Sequence, residues 1–140
     1  MGLLMTILAM LTEIFTTVLK VQLQSANTSH LQQDGRYILS KLRYDISHAE
    51  SISEPATVSA QTDTLELSVD GQDRTYRFAN NTIELLSSNN TDQLTSYDVQ
   101  VTDFTNTRLG TGGGKDTIRV TFTLVSGDEV KQFEMAGGLR

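Results

Sequence analysis

Residues 3–19 read LLMTILAMLTEIFTTVL, and the fold turns on this stretch. Its non-apolar members are Thr6, Thr12, Thr16, Thr17 and Glu13, so as a helix it is apolar on every side. Such a helix must be buried in a large core, among partner helices or in lipid, and a 140-residue chain has too little core to wrap it. At ~1.5 Å per residue it spans roughly 25 Å, a little short of the ~30 Å hydrocarbon layer. Lys20 closes the uncharged run. Beyond it the polar segment SANTSH, residues 25–30, is expected to continue the helix through water, with local bending or fraying. From Leu31 the apolar residues Leu31, Ile38, Leu42, Ile46 and Ala49 fall on one helical face, with Gln32, Gln33, Arg36, Lys41 and Glu50 on the others. That half needs one apolar neighbour. Lys41 and Asp45 stand at i,i+4 and can pair. Gly35 interrupts the pattern at a cost of ~1 kcal/mol relative to Ala. Pro55 biases Glu54 away from helical geometry, so the element is expected to stop near Ser51 to Ser53.

After Pro55 the period changes to alternation. Leu65, Leu67 and Val69 in DTLELSVD share one face, and Asp70-Gly71 supplies turn chemistry. Arg74 to Ala79 returns with Tyr76 and Phe78 on one side. Asn80-Asn81 turns the chain into Thr82 to Leu86, with Ile83 and Leu85 inward. SSNNTDQ, residues 87–93, reads as a polar loop. Tyr97, Val99 and Val101 form a fourth alternating set closed by Phe104. Asp116 to Val125 is the clearest strand, and Gly127-Asp128 leads into Glu129 to Met135. Short turns imply antiparallel pairing, and the covered face needs a lid that only the amphipathic half-helix can supply. The expected fold is therefore α+β: a long N-terminal α-helix whose C-terminal half packs on an antiparallel β-sheet. Residues 1–24 form a hydrophobic helix half, 25–54 an amphipathic half packed through Leu31, Ile38, Leu42 and Ile46, and 55–140 the β domain.

Eleven Lys and Arg against seventeen Asp and Glu give a net charge of −6, and the cations read as scattered, which argues against nucleic acid as the main partner. Cysteine is absent, which excludes a disulfide framework, a thiolate metal site and a cysteine nucleophile. His30 and His48 have no acidic or His companion at zinc-helix spacing and read as surface residues. No basic n-region or small-residue cleavage site marks a secretory signal. The loop GTGGGKDT, residues 110–117, departs from the phosphate-binding pattern, because Leu109 stands where Gly is needed and Asp116 where Ser or Thr is needed. It reads as a flexible hairpin loop. Asn27, Asn80 and Asn89 each begin an Asn-x-Ser/Thr triplet, which arises often by chance. Asp70, Asp73, Asp92, Asp98 and Asp103 fall around loops without calcium-loop spacing and read as solvated turn residues. No catalytic residue, cofactor, metal site or small-molecule substrate is expected.

The greasy helix that turns amphipathic, the segment QQDGRYILSKLRYDISHAESI (residues 32–52) and the hairpins ending in TIRVTFTLVSGDEVKQFEMAGGLR (residues 117–140) together resemble type IV pilin-like proteins. The likeness is greatest to the J-type minor pseudopilins of type II secretion and to related minor pilins. The run Leu42-Arg43-Tyr44-Asp45-Ile46, followed by Ala49, is similar to the end of the family's domain-facing helix half. The family carries a leader ending in Gly, usually followed by Phe, with Glu four residues beyond the cleavage point. Here Leu3 follows Gly2, four residues beyond Leu3 stands Ile7, and the cleavage point implied by Glu13 would follow Leu8. The expectation is that the chain begins inside the family's hydrophobic helix, with roughly eight to ten residues of that helix lost, residues that would also restore it to about the length a bilayer demands.

The resemblance implies a non-catalytic subunit of a pilus-like or secretion filament, with other pilin or pseudopilin subunits as partners and no nucleic acid. It would rest as a single-pass protein in a bacterial inner membrane, β domain outside the cytoplasm, and join a periplasmic or extracellular filament. Leu4, Ile7, Leu8, Leu11, Glu13, Ile14, Phe15 and Val18 would carry helix packing. Glu13 would either meet a neighbouring subunit's amine or basic side chain, or sit interfacially near the end of a short span. Residues 87–95 and 108–115 would be outward contact surfaces. The competing expectation is a membrane-anchored binding or adhesion module that does not polymerise. An enzyme has no nucleophile, metal set or acid pair to stand on.

Overall fold

The computed structural model describes residues 2–110 and 115–140. One helix, α1, runs unbroken from Gly2 to His48. Its 47 residues extend about 70 Å. Two antiparallel sheets follow. The first joins β1 (Ala49–Glu54), β3 (Thr64–Val69), β4 (Gln72–Ala79), β5 (Thr82–Ser87) and β6 (Asn90–Gln93) in the order β1-β3-β4-β5-β6. The second joins β2 (Gln61–Thr62), β7 (Gln100–Leu109), β8 (Thr117–Ser126) and β9 (Glu129–Gly138) in the order β2-β7-β8-β9. The architecture is α+β, with the helix packed on antiparallel sheets.

The hairpins follow from turn residues that tolerate a left-handed backbone. Asp70 and Gly71 have φ of 52° and 74°, and Asn80 and Asn81 have 51° and 57°, so each pair makes the two-residue turn whose twist matches its flanking strands. The sheets and the helix share one core. Leu31, Ile38, Leu42 and Ile46 from α1 meet Leu65, Leu67, Tyr76 and Ile83 of the first sheet and Ile118, Val120, Phe122 and Leu124 of the second, all 0–2% exposed. The helix lies chiefly against β8 and β9 and touches β3.

Four local readings of the sequence are corrected. The helix ends at His48, not near Ser51 to Ser53, because Ala49–Glu54 is drawn into β1, whose Ala49 and Ile52 enter the core while the backbone pairs with β3. Pairing captures the chain before Pro55 has anything to stop. Residues 87–93 are not all loop: Asn90–Gln93 forms β6, an edge strand whose four side chains are all exposed, so it carries no hydrophobic signal. Tyr97 does not face inward with Val99 and Val101. It is fully exposed, because the strand starts only at Gln100 and residues 94–99 cross from the first sheet to the second. Gly35 does not interrupt the helix, which runs on through it to His48. A Cβ there would lie 2.1 Å from the Phe133 ring, which stacks on Phe122, so its missing side chain lets β9 approach the helix.

Candidate functional site

Leu, Met and Ala dominate residues 3–11 and neither Gly nor Pro occurs between Leu3 and Asp34, so helix is the favoured local state. Nothing among the described residues covers this half. Leu4, Ile7, Leu8, Leu11, Ile14, Phe15 and Val18 are all exposed, from 48% for Val18 to 70% for Leu4. At about 100° per residue these seven lie on one side of the helix. The other sides are bare as well, with Leu3, Met5, Met10, Leu19, Val21 and Leu23 exposed. The uncovered apolar run thus reaches Leu23, and Leu3 to Leu23 measures about 31 Å. Lys20 falls inside it and can extend its charge outward along its own stem. The helix is long and apolar enough to cross a membrane. Thr12, Thr16 and Thr17 each donate a hydroxyl hydrogen bond to the carbonyl four residues back, at 2.8–2.9 Å, and Thr6 to that of Leu3 at 2.8 Å. The threonines thus bond back to their own helix, which leaves no unsatisfied hydroxyl on its surface. The Glu13 side chain makes no ion pair among the described residues.

Where the helix meets the domain, polar contacts take over. The β8–β9 turn leans on it: Gln24 Nε2 donates to Glu129 Oε1 at 2.7 Å, and Gly127 lies against the Asn27 side chain. An open cavity of about 480 Å³ lies between that turn and the helix, lined by Lys20, Leu23 and Gln24 among others. Two turns further, the buried Asp34 accepts hydrogen bonds from the Ser96 amide at 2.7 Å and the Ser96 hydroxyl at 2.8 Å. His30 Nδ1 is 2.5 Å from the Asp98 carboxylate. Leu94, Thr95 and Val99 are buried on either side. Tyr97 is thus held out into solvent on a crossover pinned at both flanks.

Deeper in, the fully buried Asp45 accepts hydrogen bonds from Arg74 Nη1 at 2.5 Å and from the Tyr76 hydroxyl. The expected pairing with Lys41 does not form, because Asp45 lies on the buried side of the helix. Burial first, and then the bond to Asp45, push the Tyr76 phenol far above its ordinary value. Arg74 Nε and Asn106 Oδ1 are buried without a partner. Both belong to packed strands, Arg74 to β4 and Asn106 to β7. Arg108 ties β7 to the loop after β1, donating to the carbonyls of Pro55 and Ala56 and pairing with Asp116. The neighbouring residues 111–114 of the Gly-rich stretch, part of the 108–115 contact surface expected from sequence, lie outside the described residues.

Sequence reasoning missed one surface. Arg36, Tyr37, Ser40, Arg43, Tyr44 and Ser47 recur at the same helical spacing as the apolar stripe but on the opposite side, and all are exposed. Three of the eleven cations therefore lie together here, Arg36 and Arg43 on the strip and Lys41 half-buried at its margin. The signal was the helical period applied to charged and aromatic residues instead of apolar ones. His48 closes the strip, its ring stacked on Tyr44 at 4.2 Å and its Nδ1 2.8 Å from the Tyr44 carbonyl oxygen.

Among the described residues no three His, Asp or Glu side chains are grouped to hold a metal ion. Neither His is hydrogen-bonded in a Ser-His-Asp arrangement: His30 meets only Asp98, and the serine beside His48 is its chain neighbour Ser47 with no carboxylate behind. A polar cavity of about 510 Å³ at the β4–β6 end, bounded by Gln72, Asp73 and Asn90 among others, lies wide open to solvent. Comparison with protein-family models, with curated proteins and with solved structures gives no match for this chain.

Proposed function

We propose that this protein is a non-catalytic structural subunit, a minor pilin or pseudopilin, that rests in a bacterial inner membrane through residues 3–23 and assembles into a filament by packing that helix against those of other subunits. One observation carries the reading: a single unbroken helix whose second half is buried in its own domain while its first half leaves the domain with every large apolar side chain exposed. An apolar cylinder about 31 Å long matches the hydrocarbon layer before assembly, and helices of other subunits offer the same apolar surroundings afterwards. The exposed Glu13 is costly in either setting unless a neighbour's amine or basic side chain meets it.

A second reading, an anchored binding module that never polymerises, is favoured by Tyr97, a fully exposed aromatic on a pinned loop. Such residues serve as interface anchors. The natural absence of cysteine allows one experiment to separate the two readings. Single cysteines placed in turn at positions 4 to 18 of the membrane-inserted full chain are oxidised, and the yield of disulfide dimer is measured. Assembly through helix packing predicts yields that rise and fall with the helical period, high on the side of Leu4, Leu11 and Val18. An anchor alone predicts uniformly low yields at every position.

A further inference from the structure

We propose that the outward side of the helix's second half, carrying Arg36, Tyr37, Arg43 and Tyr44, is a docking strip for the acidic β domain of a second copy of this chain. This rests on the assembly reading above. Arg36, Lys41 and Arg43 make no ion pair among the described residues, and no carboxylate lies on their side of the helix, because Asp34 and Asp45 both turn inward. Tyr37 and Tyr44 are 53% and 55% exposed. Exposed Tyr beside Arg is the composition of interface centres rather than of ordinary solvated helix faces.

The complement is present in the same molecule. Residues 49–140 hold seven Lys and Arg against fourteen Asp and Glu. Four of those carboxylates, Glu54, Glu66, Asp73 and Glu84, lie on the solvent face of the first sheet, where Glu54 stands directly opposite Glu66 and Asp73 stands opposite Ser68. Arg77 on that face is already engaged by Glu84 through two hydrogen bonds of 2.8–2.9 Å. Like charges directly opposite on paired strands are unfavourable, and cations from a neighbour relieve them. Position along the helix adds to the case. At about 100° per residue Arg36, Ser40 and Arg43 lie on the same side as Leu4, Leu11 and Val18, so an apolar contact and a charged contact run along one continuous face. Anionic lipid is the poorer occupant. Arg36 lies sixteen residues past Lys20, about 24 Å further along the axis, beyond a Debye length of ~10 Å from the headgroup layer of an upright helix.

The test mixes two populations of the full chain in neutral phosphatidylcholine vesicles, one with Ser40→Cys and one with Ser68→Cys, and measures the inter-chain disulfide. A strong cross-link is expected, reduced at least tenfold when the first population carries R36E and R43E. It should return when the second then carries E54K and E66K, an outcome that a merely misfolded variant cannot produce. Reversal without effect, or no return in the paired swap, overturns the proposal. A cross-link that forms only in phosphatidylglycerol vesicles assigns the strip to anionic lipid and overturns it equally. Dimers through Leu11→Cys without dimers through the Ser40–Ser68 pair sink this inference and leave the assembly reading standing. Absence of both sinks the two together.

Discussion

The two halves of α1 use helical periodicity in opposite ways. In residues 31–48 Leu31, Ile38, Leu42 and Ile46 form one stripe, buried to 0–2% exposure against the chain's own sheets, with Leu39 half-buried at its edge. In residues 3–23 apolar side chains cover every side and none is buried. The same element thus has its burial requirement met internally at one end and left for an outside environment at the other. The largest effect expected from this contrast is on stability. Ile38→Ala removes a fully buried side chain between two sheets and should lower unfolding stability by about 2–5 kcal/mol. Leu11→Ala removes a larger exposed surface and should leave domain stability within about 0.5 kcal/mol of wild type. Denaturant unfolding of both variants in the same detergent checks the pair. Equal losses would mean that the first half also folds onto the domain, and the contrast would collapse.

A sharper test acts where helix and sheet come closest. Gly35→Ala gains about 1 kcal/mol of helix propensity but places a Cβ 2.1 Å from the Phe133 ring, itself held by stacking on Phe122 at 5.3 Å. Overpacking of that kind costs about 1–3 kcal/mol, enough to outweigh the gain. The variant should therefore be less stable in thermal melting, and Gly35→Ala with Phe133→Leu should recover most of the loss. A stabilised Gly35→Ala would show that residues 31–48 are not seated as tightly as the packing implies.

What could be read from the sequence follows the same division. The exposed apolar run and the buried stripe were both legible, because each is a pattern of apolar residues at helical spacing. So were the hairpins at Asp70-Gly71 and Asn80-Asn81, where turn chemistry is local. β1 was not legible, because AESISE is polar at four of its six positions and becomes a strand only through pairing with β3. β6 was hidden for the same reason. The burial of Asp34 and Asp45 was not legible either, because it depends on Ser96, Arg74 and Tyr76, which lie 29 to 62 residues away. The Arg and Tyr strip was present in the pattern but unremarkable until the structure showed that its cations make no ion pair among the described residues.

The buried half also contains a titrating group. The Tyr76 pKa is raised in the folded protein, so the unfolded chain releases its phenolic proton first as the pH climbs. The contribution of the neutral phenol is therefore complete below about pH 10 and declines above it. Denaturation midpoints measured between pH 8 and pH 11.5 should fall more steeply for wild type than for Tyr76→Phe. The variant is expected to start lower at pH 8, because Asp45 loses a hydrogen-bond donor, a cost of about 1–3 kcal/mol. Parallel curves would show that the phenol is not held as the structure places it.

The smallest effect belongs to the junction between the two halves. His30 and Asp98 are 49% and 44% exposed, so water screens the pair, and deleting it should change stability by no more than about 1 kcal/mol. Its consequence should be local. The crossover that displays Tyr97 is held at Ser96 by the buried Asp34 and at Asp98 by His30 alone. His30→Ala should leave the melting temperature nearly unchanged while speeding hydrogen exchange at Tyr97 and Asp98, because one of two anchors is gone and local opening becomes easier. Asp34→Ala removes the buried anchor and should loosen the same residues further. If exchange at Tyr97 is unchanged in His30→Ala, the loop is held by Leu94 and Val99 in the core, and the helix junction does not govern how that tyrosine is presented.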